Sequence, residues 1–269
     1  MHRVLITGAA GRIGRTLREG LAGRFPVLRL SDIAPLGEAG PGEEIVPADL
    51  ANMAQMEAAV ADVDAIVHLG GTPEEAPWEP IHNNNIVGCY NLFEAARGAG
   101  VKRIVFASSN HVIGYYRRGR RLGIEAPPRP DGRYGISKVF GEALARLYAD
   151  KHGIGAVCLR IGSFQPRPLN VRMLSTWISP RDTVHLVARG LEASDVHFEI
   201  LYGVSANDRN WWDNPAAARL GYRPRDNAED YATEILKQRS PEDEPEVEDL
   251  FHGGPFCGMD FSGDTDRID

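Results

Sequence analysis

Cysteine is scarce: Cys89, Cys158 and Cys257 are odd in number, far apart and without metal-ligand spacing. That excludes a disulfide framework, gives no basis for a metal site, and predicts free thiols in a reducing compartment. Long apolar runs are missing too, with no stretch near the roughly 20 residues that span a bilayer. Met1-His2-Arg3 leads directly into a strand, with no signal-peptide pattern. Positive charge is in deficit, with 30 Lys and Arg against 37 Asp and Glu. The resulting formal charge of -7 argues against nonspecific binding to nucleic acid or to an anionic membrane. The expectation is therefore a cytoplasmic protein that works on a small molecule.

What is present is an ordinary globular composition, 43% apolar and 25% charged, in 269 residues. The chain is organised around Val4-Leu5-Ile6-Thr7-Gly8-Ala9-Ala10-Gly11-Arg12-Ile13-Gly14. Val4 to Ile6 reads as a buried parallel strand, and Ile13, Leu17 and Leu21, four apart, form the apolar face of a helix. Gly8 and Gly11 let backbone approach a pyrophosphate, the helix N-terminus supplies free amides and a positive dipole end, and Gly14 lets helix pack on strand. The intervening Arg12 and Ile13 belong to the same cradle. A glycine-rich turn without a ligand is the plain alternative.

A second strand, Pro26 to Leu30, ends at Ser31-Asp32, and Asp32 lies 18 residues beyond Gly14, close to the position of a ribose-binding carboxylate. A carboxylate there repels a ribose 2'-phosphate, so NAD is favoured over NADP. A third strand near Glu44 to Val46 precedes Asp49-Leu50 and a helix through Met53, Met56 and Val60. Asp49 is either that helix's N-cap or an acceptor for the adenine amino group. The fourth strand, from Asp64, ends in Leu69-Gly70-Gly71, where backbone can approach the cofactor, and His68 within it reads as a core histidine. The pattern predicts one helix from Ile81 to Ala99, although Asn83-Asn84-Asn85 suits a helix interior badly and flags function. The fifth strand, from Arg103, delivers Ser108-Ser109-Asn110-His111 to the carboxyl edge of the sheet, where ligands bind. Arg117, Arg118, Arg120, Arg121, Arg129 and Arg133 read as a solvated loop, with attraction of an anionic substrate as the sharper alternative.

Tyr134 and Lys138 lie four apart at the start of a helix and so share one face. A base working near neutrality needs a phenol pKa about 3 units below the usual 10, and an adjacent ammonium beside a positively charged nicotinamide is a source of that shift. Together Gly8/Gly11/Gly14, Asp32, Asp49-Leu50, Ser109 and Tyr134/Lys138 resemble the extended short-chain dehydrogenase/reductase superfamily from Val4 to about Gly162. The resemblance implies Tyr134 as general acid/base, Lys138 as its electrostatic partner and ribose anchor, Ser109 as the hydroxyl orienting the substrate oxygen, and Asn85 in support of a proton relay and the cofactor.

A further resemblance is to the uronate dehydrogenase family. It rests on Phe106 to His111, Ile113 to Tyr116, Arg172 to Trp177, Ser205 to Asp208 and Trp211 to Asn214. It implies oxidation of the C1 hydroxyl of glucuronate or galacturonate to an aldarolactone with NAD. Ser109, Asn110 and His111 would contact sugar oxygens, and Ser163 and Arg172 the carboxylate. Pro73 stands where that family leads one to expect a serine. Another sugar epimerase or reductase, or a silent NAD-binding regulator, are the competing functions.

The fold expectation is α/β, a Rossmann-type doubly wound parallel sheet with a small C-terminal substrate-binding region. Residues 1–162 would bind NAD, 163–240 would form the substrate-binding region and 241–269 an acidic tail. Trp211 and Trp212 read as packing. Leu250, Phe251, Phe256 and Phe261 make the tail too apolar for disorder, so it is expected to pack on the body or on a neighbour in a homo-oligomer.

Overall fold

Strand and helix alternate along the chain: β1 (Arg3–Thr7), α1 (Arg12–Gly20), β2 (Val27–Ser31), β3 (Glu43–Ile45), α2 (Met53–Val60), β4 (Ala65–His68), α3 (Trp78–Pro80), α4 (Gly88–Ala99) and β5 (Arg103–Ser109). After a long loop come α5 (Arg133–His152), β6 (Gly155–Ile161), β7 (Ser163–Phe164), α6 (Met173–Thr176), β8 (Trp177–Ile178), α7 (Pro180–Glu192) and β9 (Phe198–Gly203). The computed structural model describes residues 1–237 and 246–268. The central sheet is parallel throughout, in the order β3-β2-β1-β4-β5-β6-β9. Strand order reverses between β1 and β4, which opens a crevice at the carboxyl ends of β1, β4 and β5.

Both faces of the sheet are covered, which is why its strands read as apolar runs. Along β1, Val4 and Ile6 join Leu17, Leu21, Leu186 and Leu191 on the α1/α7 side. Leu5 points the other way, into a core with Met56, Leu92, Phe93 and Tyr148 from α2, α4 and α5. β9 pairs with β6, so a strand from the second half of the chain completes the first half's sheet. The expected boundary at 240/241 lies outside the described residues.

The single helix predicted from Ile81 to Ala99 is interrupted. Ile81–Val87 is π-helical, and regular α-helix resumes at Gly88. The asparagine run that violates helix propensity falls inside this widened turn, a feature common at functional sites.

The arginine loop is solvated only in part: Arg120, Arg121 and Arg133 are exposed, as that reading expects, while Arg117, Arg118 and Arg129 are half-buried. It is the seat of the C-terminal tail: Arg117 donates to the carbonyls of Thr265 and Ile268, and Arg118 to those of Glu248 and Phe251. His252 N–H and Gly253 N–H bond to the carbonyls of Tyr116 and Gly114. Phe251 is fully buried, and the Arg120 and Arg129 guanidinium groups lie over the ring of Tyr116. The arginines were legible as charge, but their carbonyl partners lie over a hundred residues away. Trp212 is fully buried and stacks on Tyr202, as the packing reading expects.

Candidate active site

Two adjoining cavities, of about 200 and 450 Å³, follow the crevice. The smaller is lined by Gly8, Gly11, Asp32, Asp49, Leu50, Leu69 and Gly70. Gly8 has φ +69°, and a Cβ on Gly14 would sit 2.3 Å from the Gly8 carbonyl oxygen, so the turn tolerates no side chain at either position. α1 opens at Gly11 with no side-chain cap and no acidic residue in its first turn, which leaves its first amides available to an anion. Asp32 accepts the amides of Ala10 and Ala34, one on each oxygen. A carboxylate offers about four lone-pair positions, so both oxygens can still take a ribose hydroxyl. Asn52, not Asp49, caps α2, by accepting from Gln55 N–H. Asp49 is thus left at the cavity wall. The residues present fit a dinucleotide.

The larger cavity brings Arg12 and Ile13 opposite Ser109, Asn110, His111, Tyr134 and Lys138. Tyr134 and Lys138 are buried on α5, and the Lys138 ammonium lies 5.3 Å from the Tyr134 ring centre and 5.1 Å from that of Phe106. Burial pushes the phenol up to about 12, helped by the charge of Asp131, while the nearby Ser109 hydroxyl pulls the other way. Lost hydration outweighs the Ser109 hydroxyl, so the chain's own groups do not by themselves supply the lowered pKa expected for Tyr134. Burial also brings Lys138 down to about 8. His68 is a core residue, bonded to the Thr7 hydroxyl at 2.8 Å and pushed down to about 3 by burial.

Asn85 does not reach the cleft. Its oxygen accepts Thr72 N–H, and its nitrogen donates to Thr72 C=O and to Ser137 Oγ. Asn84 lines the smaller cavity instead. The π-helical turn sets this phase, which a regular helix would not.

Ser163 and Arg172 border the larger cavity through their neighbours: Gly162 and Phe164, on either side of Ser163, line it, as does Asn110, which meets Arg172. The Arg172 guanidinium donates to Ser163 Oγ at 3.0 Å and to the His252 carbonyl at 2.7 Å. In the amide orientation that satisfies both neighbours, Asn110 accepts from Arg172 Nη2 at 2.7 Å and donates to the Ile161 carbonyl. Burial and the charge of Arg118 bring Arg172 down to about 10. Three of the guanidinium's five N–H groups are used this way.

Three participants escape sequence reasoning. Asp131 bonds His111 Nδ1 at 2.7 Å. Phe256, from the tail, stacks on His111 with ring centres 3.9 Å apart and meets Tyr134 edge-on. Glu75 accepts the amides of Arg133 and Tyr134, capping the helix that carries the phenol. Only Phe256 was foreshadowed, by the apolar character of the tail. Glu75→Ala removes the cap of α5. A cap is worth about 0.5–2 kcal/mol, so a lower melting temperature and a kcat reduced about tenfold are expected. Glu75→Gln, which keeps one acceptor, should lose less in both measurements.

A parallel sheet with an uncapped glycine turn, facing a buried Tyr/Lys pair, defines a dinucleotide-dependent enzyme that moves a proton at a substrate oxygen. The chain belongs to the NAD dependent epimerase/dehydratase family, whose model matches residues 4–179. It is 49% identical to a uronate dehydrogenase of Pseudomonas putida over 95% of this chain and 96% of that one. A solved variant of uronate dehydrogenase from Agrobacterium tumefaciens, complexed with NAD, superposes with a TM-score of 0.92 at 50% identity, covering 96% of this chain and 97% of that one. A glucuronic acid dehydrogenase structure from Chromohalobacter salexigens gives 0.93 at 45% identity over 99% of both.

Proposed function

We propose that this protein is an NAD-dependent uronate dehydrogenase, oxidising the C1 hydroxyl of D-glucuronate or D-galacturonate to the aldarolactone. The observation that carries the reading is the convergence of Ser109, His111, Tyr134 and Lys138 on one cavity wall, opposite the glycine turn. The relatives' activity supplies the substrate class.

NAD, when bound, takes up the hydride from C1. Gly8, Gly11, Arg12, Ile13 and Gly14 would hold its pyrophosphate, Asp32 a ribose, Asp49 and Leu50 the adenine side, and Leu69 and Gly70 the middle of the cleft. Asn85 contributes by fixing Thr72. Tyr134 takes the C1 hydroxyl proton while Ser109 holds that oxygen, and the C1–O bond closes to the lactone carbonyl. Lys138 stabilises the charge on the phenol oxygen and anchors a ribose hydroxyl. Asn110 and His111 meet sugar oxygens, and Arg172 with Ser163 faces the substrate carboxylate, where a guanidinium can grip with paired hydrogen bonds.

Residues 1–162 act as the NAD-binding unit and 163–240 as the substrate-binding region, with 241–269 as the tail. Three free cysteines support a cytoplasmic location. A homo-oligomer would cover exposed apolar side chains such as Tyr90 on α4 and Ile136 and Leu147 on α5. No described helix is long and apolar enough to cross a membrane.

Purified protein mixed with NAD and either uronic acid is expected to accumulate NADH, read as near-ultraviolet absorbance, one equivalent per sugar oxidised. Conversion of a sugar to its epimer without net NADH would overturn the dehydrogenase reading.

A further inference from the structure

Asp131 is an unusual place for a carboxylate. Its side chain is completely buried, and Oδ1 has no hydrogen-bond partner among the described residues. A Cβ on Gly114 or on Gly253 would lie 1.9 Å from Oδ2, so two separate backbone segments are stripped of side chains around this one oxygen. That oxygen meets the imidazole of His111 at 2.7 Å, with the Cys257 thiol farther off at 3.9 Å. A buried carboxylate with so few partners costs stability, so its retention calls for a role beyond packing.

The imidazole is held on its other sides as well. Phe256 stacks on one face at 3.9 Å and 16°, and the ring of Tyr134 meets it edge-on at 5.8 Å. These contacts hold the ring with Nδ1 toward Asp131. With Nδ1 against Asp131, Nε2 is the nitrogen left for whatever occupies the larger cavity, which His111 lines beside Tyr134.

We propose that Asp131 is a positioning residue for substrate recognition. It accepts the Nδ1–H of His111 and so fixes the neutral tautomer whose Nε2 lone pair points to the sugar, where it accepts a hydrogen bond from a substrate hydroxyl. The histidine then reads a donor and disfavours a carbonyl or ether oxygen at that position, because a lone pair would face a lone pair. A carboxylate partner is the general way in which one nitrogen of a histidine is protonated and the other kept free. The substrate side of this inference rests on the uronate reading; the tautomer does not.

Two measurements test it. In wild-type protein, 15N resonances of His111, assigned by their loss in His111→Ala, should show a protonated Nδ1 and an unprotonated Nε2; the opposite tautomer overturns the proposal. In kinetics, Asp131→Asn should lower kcat/KM for uronate at least tenfold, with most of the loss in KM and with the NAD dissociation constant within twofold of wild type. The same substitution made in His111→Ala should change KM less than twofold further, since its effect passes through the imidazole. A KM for Asp131→Asn within twofold of wild type, or an equal loss in both backgrounds, would overturn the positioning role. If the wild type oxidises no uronate, the substrate reading fails, while the resonance measurement still decides the tautomer.

Discussion

Tyr134→Phe is expected to lower kcat/KM for the uronic acid by about a thousandfold or more and to leave NAD affinity within about threefold, read by initial-rate NADH formation and by cofactor titration. The size follows from what the substitution removes. Phenylalanine keeps the ring that packs against His111 and Phe256, so the wall of the cavity survives and only the phenol oxygen is lost. Positioned proton transfer contributes about a hundred- to ten-thousandfold. Here the contribution belongs in the upper part of that range, because Tyr134 is buried and water cannot readily replace it as base. Burial pushes the phenol up to about 12, so a nearby positive charge is needed to favour the base form. Lys138, at about 8, is still charged at neutral pH and lies over the same ring, so it is the cation this chain contributes. Unchanged turnover in the phenylalanine variant would remove the proposed chemistry while leaving the fold intact.

The parts of the site visible in the sequence are those encoded by local spacing. The glycine turn links one strand to one helix, the carboxylate follows the next strand directly, and the Tyr/Lys pair lies within the first turns of one helix, so in each a few neighbouring residues determine backbone and phase. Asp49 could not be decided locally, because the capping role depends on whether Asp49 or Asn52 meets the first free amide of α2. Asn85 came from the resemblance alone, and its contacts with Thr72 and Ser137 depend on a π-helical turn that has no distinct residue pattern. Glu75, Asp131 and Phe256 were out of reach for another reason. Their partners lie 59, 20 and 145 residues away, and an isolated glutamate, an Asp-Gly turn and a phenylalanine in an acidic tail are each common in surface segments. The arginine loop shows the same limit from the other side, since charge density announced a surface role and only tertiary contact revealed a docking seat.

Deleting residues 247–269 should abolish measurable uronate oxidation, a loss of at least about a hundredfold, and lower the melting temperature by about 10 °C. The thermal effect comes mainly from Phe251, which is fully buried between Tyr115 and the arginine loop. Loss of one such ring costs about 3–5 kcal/mol, and each kcal/mol moves the midpoint of a chain this size by about 2–4 °C. Arg117 and Arg118 would also lose their carbonyl partners in the tail. The catalytic effect has a separate origin. Phe256 leaves the face of His111, and the His252 carbonyl leaves Arg172 Nε, so the imidazole and the guanidinium proposed to meet the substrate each lose a support. Phe256→Ala separates the two effects: stability should change little, because this ring is only half-buried, while KM for the uronic acid rises severalfold. NAD binding should persist in both variants, since none of the described tail residues lines the smaller cavity. A truncated chain that keeps its melting temperature would show that the tail does not pack on the body. One that melts early yet turns over normally would show that it packs there without serving the site.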